Sequence, residues 1–387
     1  MKVTQIYDLV NNATSQILGE NVVLKEDLSN IVDVGKEIID NDNVDHYVKK
    51  LVNHIGKVVF VNRVYSGSAP SVLMDNWEFG SVVEKITAEM PEATESDSWK
   101  LENGVDYSPD IFYQPEVSAK FFNSKVTFEI PLSFTEKQVK ESFSNASQLN
   151  GFLSMLATSV ENSMTVKIDS LVMKTINNMI GETLVSDLDN GEGVIELTGT
   201  GVRAVNLLAL YNAEYDDTLT KEKVLTSPEF IRYATYQIGL YSDRMKKIST
   251  LFNIGGKDRF TSADRLKTVL LSDFGKASSV FLGADLNNSE NVTLPTHEVV
   301  PYWQGSGTDY SFNQVSKIDV KTADGVDVQA EGIIGVMFDR EALGVTNLDR
   351  RVTTNYNPKA EFYTNFYKFD AGYFNDMNEN FVVFYVG

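Results

Sequence analysis

From Thr135 to Ile180 the chain keeps apolar residues on one helical face, and few folds can house an element that long. Thr135-Glu136-Lys137-Gln138 opens it as a capping box: the threonine oxygen caps the first turn and Gln138 reaches back. Val139, Phe143, Ala146 and Leu149 begin the stripe. Phe152, Leu153, Leu156, Val160, Met164, Ile168, Leu171, Val172, Ile176, Met179 and Ile180 carry it on at helical spacing. Gly151 marks a candidate break, because glycine weakens a helix interior, and Gly181 a candidate stop. From Gln148 to Ile180 such a helix is about 50 Å long at the standard rise, enough to cross a whole domain. It has no sustained heptad, so a coiled coil is not the reading.

The stretch that feeds this helix is as constraining. Residues 81–90, SVVEKITAEM, alternate: Val82, Ile86, Ala88 and Met90 point one way and Lys85, Thr87 and Glu89 the other. Residues 125–132, KVTFEIPL, alternate as well, so the two read as an antiparallel pair of strands. Residues 91–124 lie between them, punctuated by Pro91, Pro109 and Pro115 and holding Trp99, Tyr107, Phe112 and Tyr113 among acids. Excursions of that length inside a compact domain are uncommon. A two-stranded arm is also marginal alone in water, so something else must cover it if it is ordered. The competing reading is a long flexible surface hairpin.

Elsewhere the pattern is mixed. Residues 1–56 read as helices, with Ile6, Val10, Ala13 and Ile17 at helical spacing and further runs to Ile55. KVVFVNRVY (57–65) reads as a strand and SGSAPS (66–71) as turns. ETLVSDLDNGEG (182–193) reads as an acidic turn, VIELT (194–198) as a strand and VRAVNLLALYNAEY (202–215) as a helix. Ser227 and Pro228 cap a helix over 227–248. Residues 265–345 read as short strands between turns, and the Tyr- and Phe-rich tail 360–386 as strands. The sum is α+β, without βα rhythm or internal repeat.

Composition removes whole classes of chemistry. There are no cysteines and three histidines, His46, His54 and His297, so thiol chemistry is excluded and histidine zinc sites nearly so. The 54 acidic residues against 34 basic give a net charge of -20. Such a chain does not coat nucleic acid by phosphate neutralisation alone. The N-terminus, with Asp8 among polar residues, lacks the apolar run of a signal peptide, and no stretch reaches transmembrane length. Aqueous, reducing surroundings are the expectation.

No motif resolves into a catalytic set. Gly199-Thr200-Gly201-Val202-Arg203-Ala204 matches the form of a dinucleotide fingerprint, with Asp216 and Asp217 near the offset for a ribose contact. The match is short and only one strand precedes it, so a turn with two glycines is the preferred reading. Asp187-x-Asp189-Asn190-Gly191 resembles part of a calcium loop but lacks the closing glutamate, and is read as a turn. Gly255-Gly256-Lys257 lacks the earlier glycine of a phosphate loop. No nucleophile–base pair is evident, and no catalytic, cofactor-binding or metal-binding residue is expected.

The order of elements carries more than any motif. A helical N-terminal arm, a two-stranded excursion, a long helix, a mixed region and a return of aromatic strands resemble the HK97-type capsid fold of tailed double-stranded DNA bacteriophages. FEIPLSFTEKQVKESFSNASQLNGF (128–152), GIIGVMFDREALGV (332–345) and NPKAEFYTNFYKFDAGYFNDMNENFVVFYV (357–386) are similar to major capsid proteins of phages of low-GC Gram-positive or gut bacteria. The closing stretch VKIDSLVMKTINNMIGE (166–182) is similar to the end of that family's spine helix.

The resemblance implies an N-terminal helical arm over 1–56, the start of a peripheral domain over 57–77 and an extended E-loop over 78–132. It implies a spine helix with more of the peripheral domain over 133–193, an axial domain over 194–345 and return strands over 346–387. It implies self-assembly into pentamers and hexamers of an icosahedral shell. Scaffolding and portal proteins and decoration proteins would be its partners, and the packaged double-stranded DNA would be enclosed without sequence-specific binding. The virion would be its location, after assembly in the host cytoplasm, with no membrane partner, no cofactor and no enzyme activity. Phe79, Trp99, Phe121 and Phe122 are the candidate subunit-contact residues. Two rival readings are an encapsulin-like compartment and a NAD-dependent oxidoreductase built on Gly199, Gly201 and Ala204. Some members of this fold weld subunits through a Lys–Asn isopeptide bond. Lys85 and Lys100 lie in the excursion, and two solvated lysines are the preferred reading there.

Overall fold

The fold is that of a computed structural model. The described residues are 11, 33–34, 67–74, 83–88, 91, 93, 95–96, 98–107, 112, 114, 117–142, 146–189, 195, 197–283, 294–305 and 309–387. The expected helices over 1–56, the strand over 57–65 and Phe79 fall outside them, apart from helical backbone at Asn11, Asp33 and Val34.

In chain order the elements begin with β1 (Val83–Ala88), β2 (Val117–Phe122) and β3 (Lys125–Thr135). Two helices follow, α1 (Glu136–Ser142) and α2 (Ala146–Leu188), then β4 (Ala204–Asn206), α3 (Leu207–Tyr215) and α4 (Pro228–Met245). After β5 (Leu266–Leu271), α5 (Ser272–Gly283) and β6 (Glu298–Val300) comes a hairpin of β7 (Ile318–Lys321) and β8 (Asp327–Ala330). The chain closes on β9 (Ile333–Asp339), β10 (Leu343–Asn357), β11 (Phe362–Asn375) and β12 (Phe381–Tyr385).

The capping box forms as the sequence implies: Gln138 N donates to Thr135 Oγ1 at 3.2 Å and Thr135 N to Gln138 Oε1 at 2.9 Å. Helix α2 runs past the expected end at Ile180, through both Gly151 and Gly181, for 43 residues, about 64 Å at the standard rise. Its buried residues Leu156, Val160, Met164, Ile168, Val172, Ile176, Ile180 and Leu184 recur every four positions. A four-residue step overshoots one turn by about 40°, so the stripe winds round the helix and different stretches face different partners. Gly181 is therefore no stop. A Cβ there would lie 2.7 Å from Val320 Cγ2, so the glycine lets the β7–β8 hairpin approach the helix.

The chain forms two compact units. The first comprises 1–78, 125–176 and 344–373. Its sheet has the order β10-β11-β3, with β3 and β11 antiparallel from Phe362↔Thr135 to Gly372↔Lys125. One face of β11 buries Tyr363, Tyr367, Phe369 and Ala371, each ring of that size stabilising by about 1.5–3 kcal/mol. Phe134 of β3 meets Phe152 of α2 edge-on, ring centroids 5.5 Å apart. The opposite face is polar: Asp370 accepts from Thr127 and pairs with Arg351, and Lys368 pairs with Glu129.

This sheet corrects the strand pairing read from the sequence. The 125–132 segment pairs with β11, whose Tyr/Phe alternation matches its own over eleven residues. The 81–90 segment instead pairs with β2, in register from Val83↔Phe122 to Ala88↔Val117.

The second unit comprises 79–124, 177–343 and 374–387. Its sheet order is β4-β12-β9-β5-β6. Strands β9 and β12 are buried along their whole length, as befits central strands covered on both faces. Phe230, Ile238, Phe274, Met337 and Phe384 belong to one core cluster that joins the sheet to α3, α4 and α5. Ser227 caps α4 as expected, its hydroxyl accepting from Phe230 N at 3.2 Å. Two further readings change. Residues 204–206 form a strand beside β12, so α3 starts only at Leu207, with Asn206 as its cap. Residues 272–283 are helical, burying Phe274 and Ser278 one turn apart, where the sequence reads as short strands between turns. Of the expected 194–198 strand, the described part is an isolated bridge at Ile195 and a turn.

Candidate subunit-contact site

The excursion divides into a held base and a bare tip. At the base, Phe122 packs on Phe374 with ring centroids 5.0 Å apart. Beside it, the Lys85 ammonium lies 2.9 Å from Asp376 Oδ2, 2.6 Å from Glu379 Oε1 and 3.4 Å from Glu341 Oε2. Lys120, on the partner strand, reaches the other Asp376 oxygen at 3.0 Å. Arg259 joins Glu379 at 3.2 Å. Arg265 bridges Asp339 at 3.1 Å and Glu341 at 2.7 Å. Lys85, Lys120, Arg259 and Arg265 thus face Asp339, Glu341, Asp376 and Glu379, four cations against four anions.

Burial decides how strongly this network acts. The Lys85 side chain is 16% exposed and that of Asp376 only 1%. Burial opposes the charge on Lys85, but the adjacent Glu379 and Asp376 outweigh it and hold its pKa above the ordinary lysine value. Burial likewise opposes the charge on Asp376, and Lys85, Lys120 and the Asn378 amide outweigh it, holding the carboxyl below its ordinary value. The expectation of a solvated Lys85 is therefore corrected: it is the hub of an ion network that ties β1 to the turn between β11 and β12. An amine must lose its proton to attack an amide carbon, and these carboxylates keep the Lys85 proton on.

Beyond Ala88 the character changes. Every described residue from 91 to 114 is exposed. Trp99 is 96% exposed and adopts a φ of 78°, a left-handed conformation that costs an L-residue roughly 1–2 kcal/mol. Leu101 and Phe112 are exposed too. The tip is still locally shaped: Tyr107 Oη accepts from Glu102 N at 3.0 Å and donates to the Lys100 carbonyl at 3.3 Å. Of the candidate contact residues, Trp99 and Phe121 stand in solvent, Phe121 at 63%, while Phe122 is partly covered by its own chain.

The glycine fingerprint is filled by the protein itself. Asp187, at the end of α2, accepts from Arg203 N at 2.7 Å and Ala204 N at 3.0 Å and pairs with the Arg203 guanidinium. A Cβ at Gly201 would collide with that carboxylate. The amides that would cradle a pyrophosphate hold Asp187 instead, and β4, not a helix, follows the glycines. This removes the basis for the NAD reading on Gly199, Gly201 and Ala204. It also assigns Asp187 a structural partner, a role that its calcium-like spacing did not suggest.

Comparison with known proteins brings in an independent line. The chain is similar to the major capsid protein of Bacillus phage GA-1, 25% identical over 188 residues. That alignment covers 47% of this chain and 38% of the relative's length, so the chain spans well under half of that relative. Among solved structures it is similar to a chain of the capsid of Staphylococcus phage Andhra, with TM-score 0.49 and 10% identity over 84% of this chain and 86% of that one. It is also similar to one from the capsid of Cyanophage P-SCSP1u, with TM-score 0.45 and 12% identity over 85% and 92%. The family model for the Phi29-like phage major capsid protein matches residues 9–385, and the chain belongs to that family.

Proposed function

We propose that this chain builds the icosahedral shell of a tailed phage by forming pentamers and hexamers, and that the hairpin of 83–122 is one of its subunit contacts. The observation that carries the reading is the hairpin itself. A charged network holds its base, yet its tip presents Trp99, Leu101 and Phe112 to water. Exposed apolar area on a shaped arm gains burial only on another molecule. Family membership supplies the other molecule: copies of the same chain. Contacts of a head-to-tail kind close into rings, the symmetry a shell needs.

The α+β architecture, with a two-stranded excursion leading into α2, supports an HK97-like subunit. The expected domains 1–56, 57–77, 78–132, 133–193, 194–345 and 346–387 remain part of this reading. So do a virion location after assembly in the host cytoplasm, scaffolding, portal and decoration partners, enclosure of double-stranded DNA, and a role without catalysis. The family match favours a phage shell over an encapsulin-like compartment.

The test is to express the full chain with Trp99→Ala and Phe121→Ala and to compare its particles with those of the unaltered chain. Both side chains are mostly in solvent, so folding stability should move by less than about 0.5 kcal/mol while assembly falls. Variants that assemble as well as the unaltered chain would remove the hairpin from the contact.

A further inference from the structure

The chain is strongly acidic, but not evenly so. Residues 243–260 carry five basic side chains against Asp243 and Asp258, a net +3 in a chain of net -20. This loop follows α4 and turns back on itself: Ser249 and Arg259 exchange backbone hydrogen bonds at 2.9 and 3.2 Å. That bridge sets Ile248 opposite Phe260, and both are about half exposed, as is Leu251. The result is an apolar patch with Lys246 and Lys247 beside it. Several of the cations are partly answered within the chain: Lys246 meets Asp243 at 2.7 Å at the surface, Arg259 meets Glu379 at 3.2 Å, and Arg244 lies over the Tyr241 ring.

The hairpin tip has the opposite character. Residues 91–116 hold seven acidic side chains against Lys100, a net -6, interleaved with Trp99, Leu101 and Phe112. Among the described residues, Trp99, Leu101 and Phe112 of the tip and Ile248, Leu251 and Phe260 of the patch are all exposed within one chain. Thr87, Ala88 and Ser118, at the tip-side end of the two strands, line one cavity with Gly256–Arg259, so the tip departs from beside the patch. A chain that carries an acidic aromatic arm and a basic apolar receptor, both uncovered, has the two halves of a head-to-tail contact.

We propose that the patch of Ile248, Leu251 and Phe260, with its neighbouring lysines, receives the hairpin tip of a second copy of this chain. The inference rests on the shell-building reading and names the surface that the arm would cover. Rings arise directly, because each copy offers one tip and one patch.

The first test is charge reversal in the full chain. Lys246→Glu with Lys247→Glu should lower particle yield by about tenfold, and so should Glu95→Lys with Glu102→Lys; all four together should restore most of it. Normal yield from either double variant, or no recovery in the quadruple one, overturns the proposal. The second test needs no shells. The chain has no cysteine, so Leu101→Cys with Ile248→Cys introduces a unique pair for a short bismaleimide. A ladder of dimers and higher oligomers on a denaturing gel supports docking on a second copy. A faster-migrating monomer would mean the tip folds onto its own patch, and no cross-link would mean that something else occupies it; either outcome overturns the proposal. Shells without a ladder would sink this inference alone, whereas a ladder without shells would sink the shell-building reading and leave this contact standing.

Discussion

Replacing Lys85 with methionine removes the hub of the ion network while keeping a side chain of similar length. Asp376 and Glu379 then stay buried with fewer partners. Removing one member of a buried pair costs about 3–5 kcal/mol. Two residual contacts reduce that figure, Lys120 at 3.0 Å from Asp376 and Arg259 at 3.2 Å from Glu379. The Lys120 side chain is 40% exposed, so solvent screens its pair to about 1 kcal/mol at most. A net loss of about 2–3 kcal/mol follows.

The loss should be local. Amide exchange in β1 and β2 should accelerate roughly 30- to 150-fold, while the core strands β9 and β12 keep their protection. Hydrogen exchange read by mass spectrometry, with urea unfolding of the dissociated full chain, measures both effects. A cycle with Asp376→Asn should return a coupling of about 1–2 kcal/mol. Coupling under about 0.5 kcal/mol, or exchange in the hairpin unchanged, would refute the claim that this network holds the arm.

Three further outcomes follow from the same structure. Gly181→Ala should lower stability by about 1–2 kcal/mol, because the new methyl meets Val320, whereas Gly151→Ala has open space around it and should raise stability by about 0.5–1 kcal/mol. Urea midpoints of the two variants should therefore move in opposite directions. Asp187→Ala leaves two backbone amides unanswered and the Arg203 guanidinium with only the Asn253 carbonyl and the Ser186 hydroxyl, and should cost about 3 kcal/mol, with no thermal shift from added NAD in either protein. The hairpin base should also respond to pH with two limits. The depressed Asp376 contributes stability above its unfolded value near about 4 and loses it as pH falls through its folded value; the raised Lys85 contributes below about 10.4 and loses it as pH rises through its folded value. Exchange protection of β1 should hold between about pH 4 and 10 and fall outside that window.

What could be read in the sequence was mostly what local chemistry decides. The Thr135–Gln138 capping box, the Ser227-Pro228 start of α4 and the Tyr- and Phe-rich strand β11 depend on near neighbours, and each forms as read. The failures are long-range. Alternation in 83–88 and in 125–132 gives each segment a face but not a partner, and the partner of 125–132 lies more than two hundred residues away in β11. Gly181 reads as a stop by propensity, yet it serves a contact with Val320, which no local window contains.

The candidate contact site is legible in part. The aromatic residues of its tip and their excess of acid stand in the sequence. Lys85 looked like any surface lysine, because Glu341, Asp376 and Glu379 come from distant turns that only the fold brings to it. Asp187 is similar. Its spacing suggested a fragment of a metal loop, while its partner Arg203 sits inside the apparent dinucleotide fingerprint. A carboxylate one helix-end away from a glycine turn is a signal that could have been sought.

The central claim is that this chain makes shells from copies of itself. The most direct measurement is to express the full chain, separate it by size and image it in negative stain, with light scattering for mass. Closed megadalton particles of uniform curvature are the expected result. A persistent compact monomer at all protein concentrations would contradict it.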